Sequence, residues 1–218
     1  MVSSERVFKV LDTESHISRG GTQETKSIEG NISFKDVWFA YNNEDWVLKG
    51  LTFEVKKGES LAIVGATGAG KSSIINLLTR FYEYNKGSIE LDGTVIQEFK
   101  LDELRRKIGV ILQDVFLFSD SILNNITLNN PQITRSQVIE ASKIVGAHDF
   151  IMKFPGGYDY NVMERGTMLS AGQRQLISFI RAYVYNPAIL ILDDATASVD
   201  TETESLIQKA LIRLMQGR

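Results

Sequence analysis

Apolar and polar positions along the chain fall into two periods. From Asn31, the residues Ile32, Phe34, Val37, Phe39 and Tyr41 nearly alternate in an aromatic, β-branched run, which predicts a strand followed by a polar turn at 42–45. A second strand is expected at 51–55, stopped by Lys56, Lys57 and Gly58, and a short, wholly apolar one of the buried parallel type at 61–64. The latter runs into glycines and then a helix over 71–81. Two further buried strands are read at 108–112 and 189–192, with helical patterns at 136–145 and 172–185 between them. Thr201 with Glu204 three residues on resembles a capping box opening a last helix that carries Leu206, Ile207, Ala210, Leu211 and Leu214. Buried strands alternating with helices predict an α/β core, with the antiparallel front end and a long helical insertion as attached subdomains.

Residues 4–12 put Val7, Phe8, Val10 and Leu11 on a loosely helical stripe. Residues 16–27, rich in hydroxyl side chains and nearly free of apolar ones, read as a linker or a frayed terminus.

Composition narrows the picture. The 218 residues are 43% hydrophobic and 23% charged with a formal charge of −3, enough for a real core and too acidic for a scaffold that neutralises nucleic-acid phosphates. The chain has no cysteine, so disulfides and thiolate metal sites are excluded. No stretch approaches the roughly 18–20 apolar residues of a membrane helix. Any tie to a membrane is therefore expected through a partner or a covalently attached segment.

The densest chemistry lies at Gly65, Ala66, Thr67, Gly68, Ala69, Gly70, Lys71 and Ser72, a G-x-x-x-x-G-K-[ST] motif placed after an expected strand and before a helix. Its glycines let consecutive N–H groups curl around one anion, and the helix N-terminus adds its dipole. Lys71 would reach the β- and γ-phosphates, and the Ser72 hydroxyl would ligate Mg²⁺. A loop of this kind needs a second carboxylate strand for the metal, and Asp193 sits at the carboxyl end of the apolar run at 189–192. Asp194 beside it could polarise an attacking water. Gln113, at the end of another core strand, is a candidate to sense that water and the metal.

With these residues placed, the chain resembles the nucleotide-binding domain of ABC transporters of the exporter type, over about residues 31–218. The decisive piece is Leu169, Ser170, Ala171, Gly172 and Gln173, followed by Arg174 and Gln175, which resembles the family's L-S-G-G-Q signature and lies between the phosphate loop and the Asp193 strand. The resemblance implies a P-loop (RecA-like) parallel core with an antiparallel β subdomain and an inserted helical subdomain at about 114–182. It implies a tail from a transmembrane domain at 1–29 and a nucleotide-binding domain at 30–218. ATP and Mg²⁺ are the implied ligands, sandwiched between the phosphate loop of one domain and the Ser170, Gly172 and Gln173 loop of a second. The transmembrane domains are the other implied partner, at the cytoplasmic face of a membrane. Tyr41 matches the aromatic residue that stacks on adenine, Ser73 extends the phosphate loop, and Gln113 matches the glutamine that couples to the transmembrane partner. Glu164, Arg165 and Gly166 resemble the exporter stretch that touches the coupling helices, and 197–200 matches the D-loop.

Three departures bear on activity. The family has Glu where this chain has Asp194, one methylene shorter. The resemblance links that exchange to the degenerate half of heterodimeric exporters, so slow hydrolysis is expected. Ala171 replaces the first signature glycine, which would be costly at a positive φ. The family continues past the position of Arg218 with a strand and a switch histidine, which neither His16 nor His148 matches, so a C-terminally incomplete piece with very low free activity is expected. The competing readings are a non-catalytic nucleotide sensor and a soluble ABC ATPase.

Overall fold

The computed structural model describes residues 2–13, 17, 21, 28–42, 45–194 and 201–217. Helix α1 (Val2–Leu11) precedes strands β1 (Ile32–Ala40) and β2 (Trp46–Val55), helix α2 (Lys71–Leu78), strands β3 (Lys86–Leu91) and β4 (Thr94–Val95), and helix α3 (Leu101–Lys107). Strand β5 (Ile108–Ile111) leads into helices α4 (Ile122–Thr127), α5 (Arg135–Val145), α6 (His148–Met152) and α7 (Ala171–Tyr185). Strand β6 (Ile189–Leu192) and helix α8 (Thr201–Met215) complete the order.

The front of the molecule is an antiparallel sheet in the order β2-β1-β3-β4. Its core face carries Phe34, Val37, Phe39, Leu48, Ile89 and Leu91, with the Phe34 and Phe53 rings stacked at 4.5 Å. The alternation of β1 slips by one residue between Phe34 and Val37, and the slip is a bulge at Asp36, whose φ is 47°. Strand β3 turns into β4 through Asp92 and Gly93, both at positive φ, the two-residue hairpin that matches strand twist. The Asp92 carboxylate then receives the backbone N–H groups of Glu29, Gly30 and Asn31 and anchors the incoming chain. Burial pushes this carboxyl up, but the N–H donors outweigh it and hold it below the ordinary carboxylate range.

Strands β5 and β6 pair in parallel, Ile108 opposite Ile189 through Ile111 opposite Leu192. Their period of two divides the core: Ile108, Val110, Ile189 and Ile191 pack with the antiparallel sheet, α2 and α3. Ile111, Leu190 and Leu192 face the helices, where Leu176, Ile177, Phe179 and Ile180 of α7 meet Val138 and Val145 of α5 and Ile207, Ala210 and Leu214 of α8. Helix α5 starts on a capping box of Thr134 and Gln137 and ends on Gly146 at φ 82°.

One expected strand is absent. Residues 61–64 belong to no sheet, and Leu61, Ile63 and Val64 are 50%, 42% and 90% exposed. Among the described residues no ladder partner lies beside them, and β propensity records a fit to a pleated, half-covered surface, which this segment lacks. The parallel core described here therefore consists of β5 and β6. Most of 16–27, the D-loop match at 197–200 and part of the turn at 42–45 lie outside the described residues. No helix among the described residues is long and apolar enough to cross a membrane.

Candidate functional site

Helix α2 begins without a side-chain cap. Gly70, its N-cap, sits at φ 89°, and no acidic residue occupies the first turn. The first amide donors of the helix and its positive dipole end are thus offered to an external anion. Gly70 is demanded twice over: a Cβ there would lie 2.9 Å from Leu48 Cδ2 and 3.1 Å from Val47 Cγ1 of β2. The Ala69 N–H donates to the Ala66 carbonyl at 3.1 Å, and Gly68 at φ 85° lets the chain turn back. Lys71 Nζ lies inside the loop and donates to the Gly65 and Ala66 carbonyls at 2.7 and 2.9 Å. The ammonium therefore lies within the curl of the 65–70 loop.

Tyr41 follows β1 and stands against the same helix. Its hydroxyl pairs with Ser73 Oγ at 2.9 Å, and its ring meets Phe39 and Tyr82 edge-on at 4.7 and 4.9 Å. The ring remains 44% exposed, so an aromatic face is available beside the phosphate loop. Ser73 itself is buried. Its hydroxyl positions Tyr41, a role the spacing of 32 residues gave no way to see.

Parallel pairing puts Gln113 and Asp193 at neighbouring strand ends, where the Asp193 N–H donates to the Ile111 carbonyl at 2.9 Å. One cavity of about 1090 Å³ is lined by Tyr41, Gly65, Thr67, Gly68, Gly70, Lys71, Ser72, Ser73, Gln113, Asp193 and Asp194. It continues between the front sheet and β6 along Phe34, Val47, Ile63, Val64 and Ile191. Ser72, Gln113 and Asp194 are exposed and Asp193 is half-buried, so their oxygens can be reached from the cavity. A hydroxyl, an amide oxygen and a carboxylate are hard donors, the set Mg²⁺ takes alongside substrate phosphates. Asp194, directly after Asp193, adopts φ 49°.

Ser170, Gly172 and Gln173 do not line this cavity. Ser170 caps α7, its Oγ accepting the Gln173 N–H at 3.2 Å while the Gln173 side chain accepts the Ser170 N–H at 3.0 Å, a complete capping box. Arg174 braces the turn by donating to the Leu169 carbonyl at 2.6 Å. Ala171 is the first residue of α7 and is not at positive φ, so the backbone penalty expected for replacing glycine does not arise. Arg165 and Gly166 lie in a tight segment where Met163, Arg165 and Gly166 all take positive φ.

Residues 48–197 match the family described as ABC transporter. YknV of Bacillus subtilis (strain 168), described as an uncharacterized ABC transporter ATP-binding protein, is 46% identical over 219 residues, covering 100% of this chain and 36% of its own. YheH of the same organism, a probable multidrug resistance ABC transporter ATP-binding/permease protein, is 46% identical over 217 residues, covering 100% of this chain and 32% of its own. A solved structure of a bacterial Atm1-family ABC exporter with ATP bound superposes with a TM-score of 0.90 at 36% identity, over 100% of this chain and 38% of that one. The chain thus spans about a third of the length of the curated relatives it matches.

Proposed function

The chain belongs to the ABC transporter family, whose ATP-binding domains bind ATP, generally with Mg²⁺, and from that membership we propose that it is the ATP-hydrolysing motor domain of an exporter. The observation that carries the proposal is the single cavity uniting Tyr41, the uncapped start of α2, Lys71, Ser72, Gln113 and Asp193. Backbone amides of 65–72 and the Lys71 ammonium would hold the phosphates, and Tyr41 would stack on the base. Ser72, Gln113 and Asp193 would hold Mg²⁺, which spreads the charge that develops on the transferred phosphoryl group.

Ser170, Gly172 and Gln173 lie away from this cavity, which supports their serving the nucleotide of a second ABC domain. Closure of the pair around ATP and its reopening after hydrolysis would drive transmembrane domains, with this chain at the cytoplasmic face of the membrane. Within that arrangement, 1–29 would be the tail of a transmembrane domain, and 114–182 would form the helical subdomain of a nucleotide-binding domain over 30–218. The short carboxylate of Asp194 favours slow turnover, with a nucleotide-sensing domain as the limiting case.

Hydrolysis by the full-length protein tests the proposal through two substitutions. Lys71→Ala should weaken nucleotide binding at the loop about ten- to a hundredfold. Ser170→Arg should leave nucleotide bound there yet abolish phosphate release. Full hydrolysis in Ser170→Arg would contradict a site shared between two domains.

A further inference from the structure

The connection between α2 and β3 lies outside the phosphate loop, yet it holds the aromatic residue beside that loop from two directions. The ladder between β1 and β3 reaches Trp38 opposite Lys86, the first residue of β3. On that edge the ladder stops short of Ala40, the last residue of β1, which is buried. Asn85 fills the gap. Its N–H donates to the Trp38 carbonyl at 2.9 Å, and its side-chain Oδ1 accepts the Ala40 N–H at 2.9 Å. A side-chain oxygen thus extends the sheet edge to the residue just before Tyr41.

Tyr82, three residues before Asn85, meets the Tyr41 ring at right angles with centroids 4.9 Å apart, and meets Phe39 at 5.8 Å. Phe39 is buried while both tyrosines are exposed, so the three rings form a corner rooted in the core. Neither Tyr82 nor Asn85 lines the nucleotide cavity. Whatever they do for a ligand there, they do through Tyr41.

The connection is itself anchored. The Phe81 N–H donates to the Asn76 carbonyl of α2 at 2.8 Å. Arg80 is fully buried, donates to the Phe99 carbonyl at 3.3 Å and pairs with Glu83 at 2.9 Å. A buried cation keeps such partners, because losing them would strand its charge. The connection therefore ties α2, whose start faces the phosphate loop, to the end of β1 from which Tyr41 emerges.

We propose that Asn85 and Tyr82 are positioning residues for base recognition: they fix the Tyr41 ring relative to the start of α2, so that a base can stack on it while the phosphates occupy the loop. The inference rests on the nucleotide-binding reading above and adds the residues that preorganise its base platform.

Two ligands separate this role from general damage to the site. Mg-ATP uses both ring and loop, whereas inorganic triphosphate with Mg²⁺ uses the loop alone. In the full-length protein, Tyr82→Leu and Asn85→Ala should each weaken Mg-ATP binding about two- to tenfold, the size of one aromatic-pair contribution, and leave triphosphate affinity within about twofold. Tyr82→Phe keeps the ring and should bind Mg-ATP as the unmodified protein does. Because both residues act through one ring, neither Tyr82→Leu nor Asn85→Ala should weaken binding further in a Tyr41→Ala background. Asn85→Ala carries the test if Tyr82→Leu does not fold. Additive losses in that background, an equal loss of triphosphate affinity, or full Mg-ATP affinity in both variants would overturn the positioning role alone. Undiminished Mg-ATP affinity in Tyr41→Ala itself would overturn it together with the stacking reading it rests on.

Discussion

Two glycines at similar backbone angles separate conformational cost from steric cost in the phosphate loop. Gly70 has φ 89° and Gly58 has φ 80°, yet a Cβ on Gly58 would meet nothing within 4 Å, whereas on Gly70 it would meet β2 at 2.9 and 3.1 Å. Holding alanine in the left-handed region costs about 1–2 kcal/mol at either position. The narrower unfolded ensemble of alanine returns about 0.4–1 kcal/mol. Gly58→Ala should therefore destabilise by roughly 0.5–1 kcal/mol. Gly70→Ala adds overpacking against Leu48 and Val47, about 1–3 kcal/mol more. Relief of that overlap must displace the α2 amides, so Mg-ATP affinity should fall at least about tenfold, or about 1.4 kcal/mol. Urea unfolding of both variants with Mg-ATP titration of each is the assay. Equal destabilisation by the two substitutions, with wild-type affinity in Gly70→Ala, would refute the argument that close packing of α2 on β2 shapes the phosphate loop.

Three more outcomes follow from named contacts. Tyr41→Ala should weaken Mg-ATP binding by about 1–3 kcal/mol, the range of a base stacked on an aromatic ring, and leave pyrophosphate binding unchanged in a competition assay. Asp194→Glu, which lengthens the side chain by one methylene toward the cavity, should raise kcat severalfold when paired with a catalytically competent second domain; unchanged turnover would count against Asp194 as the weak point. Asp92→Ala leaves three N–H groups without their acceptor and should cost about 1–3 kcal/mol in thermal unfolding. Because this carboxyl is held below its ordinary range when folded, its contribution is complete above that range and disappears as pH falls through the depressed folded value. The stability difference between wild type and Asp92→Ala should therefore shrink only in strong acid.

The phosphate loop was legible because its chemistry is local: glycine, lysine and serine at fixed offsets dictate a curl of amides ahead of a helix. Asp193 and Gln113 were legible because each ends an apolar run, and parallel pairing of those runs brings the two ends together. Residues 61–64 misled for the opposite reason. Their apolarity signals a strand, but a strand exists only with a neighbour, and that is not encoded in four residues. Strand β3, with Lys86, Gly87, Ser88 and Glu90, alternates too weakly to stand out from loop, and only pairing with β1 makes it regular. The hydrogen bonds from Arg181 to the Asn125 and Phe116 carbonyls were invisible because backbone acceptors 56 and 65 residues away carry no side-chain signature. Ala171 shows how a departure from a motif changes meaning in three dimensions, since at the first position of a helix the methyl group has no positive φ to oppose.

The account stands on nucleotide held by the start of α2 and the Lys71 ammonium. Equilibrium titration of Mg-ATP onto the full-length protein and its Lys71→Ala variant tests this most directly. Loss of a charged donor to phosphate is worth about 1.5–3 kcal/mol, so the variant should bind roughly ten- to a hundredfold more weakly while remaining folded in the absence of nucleotide. Equal affinity in the two proteins, or no binding by the wild type, would contradict it.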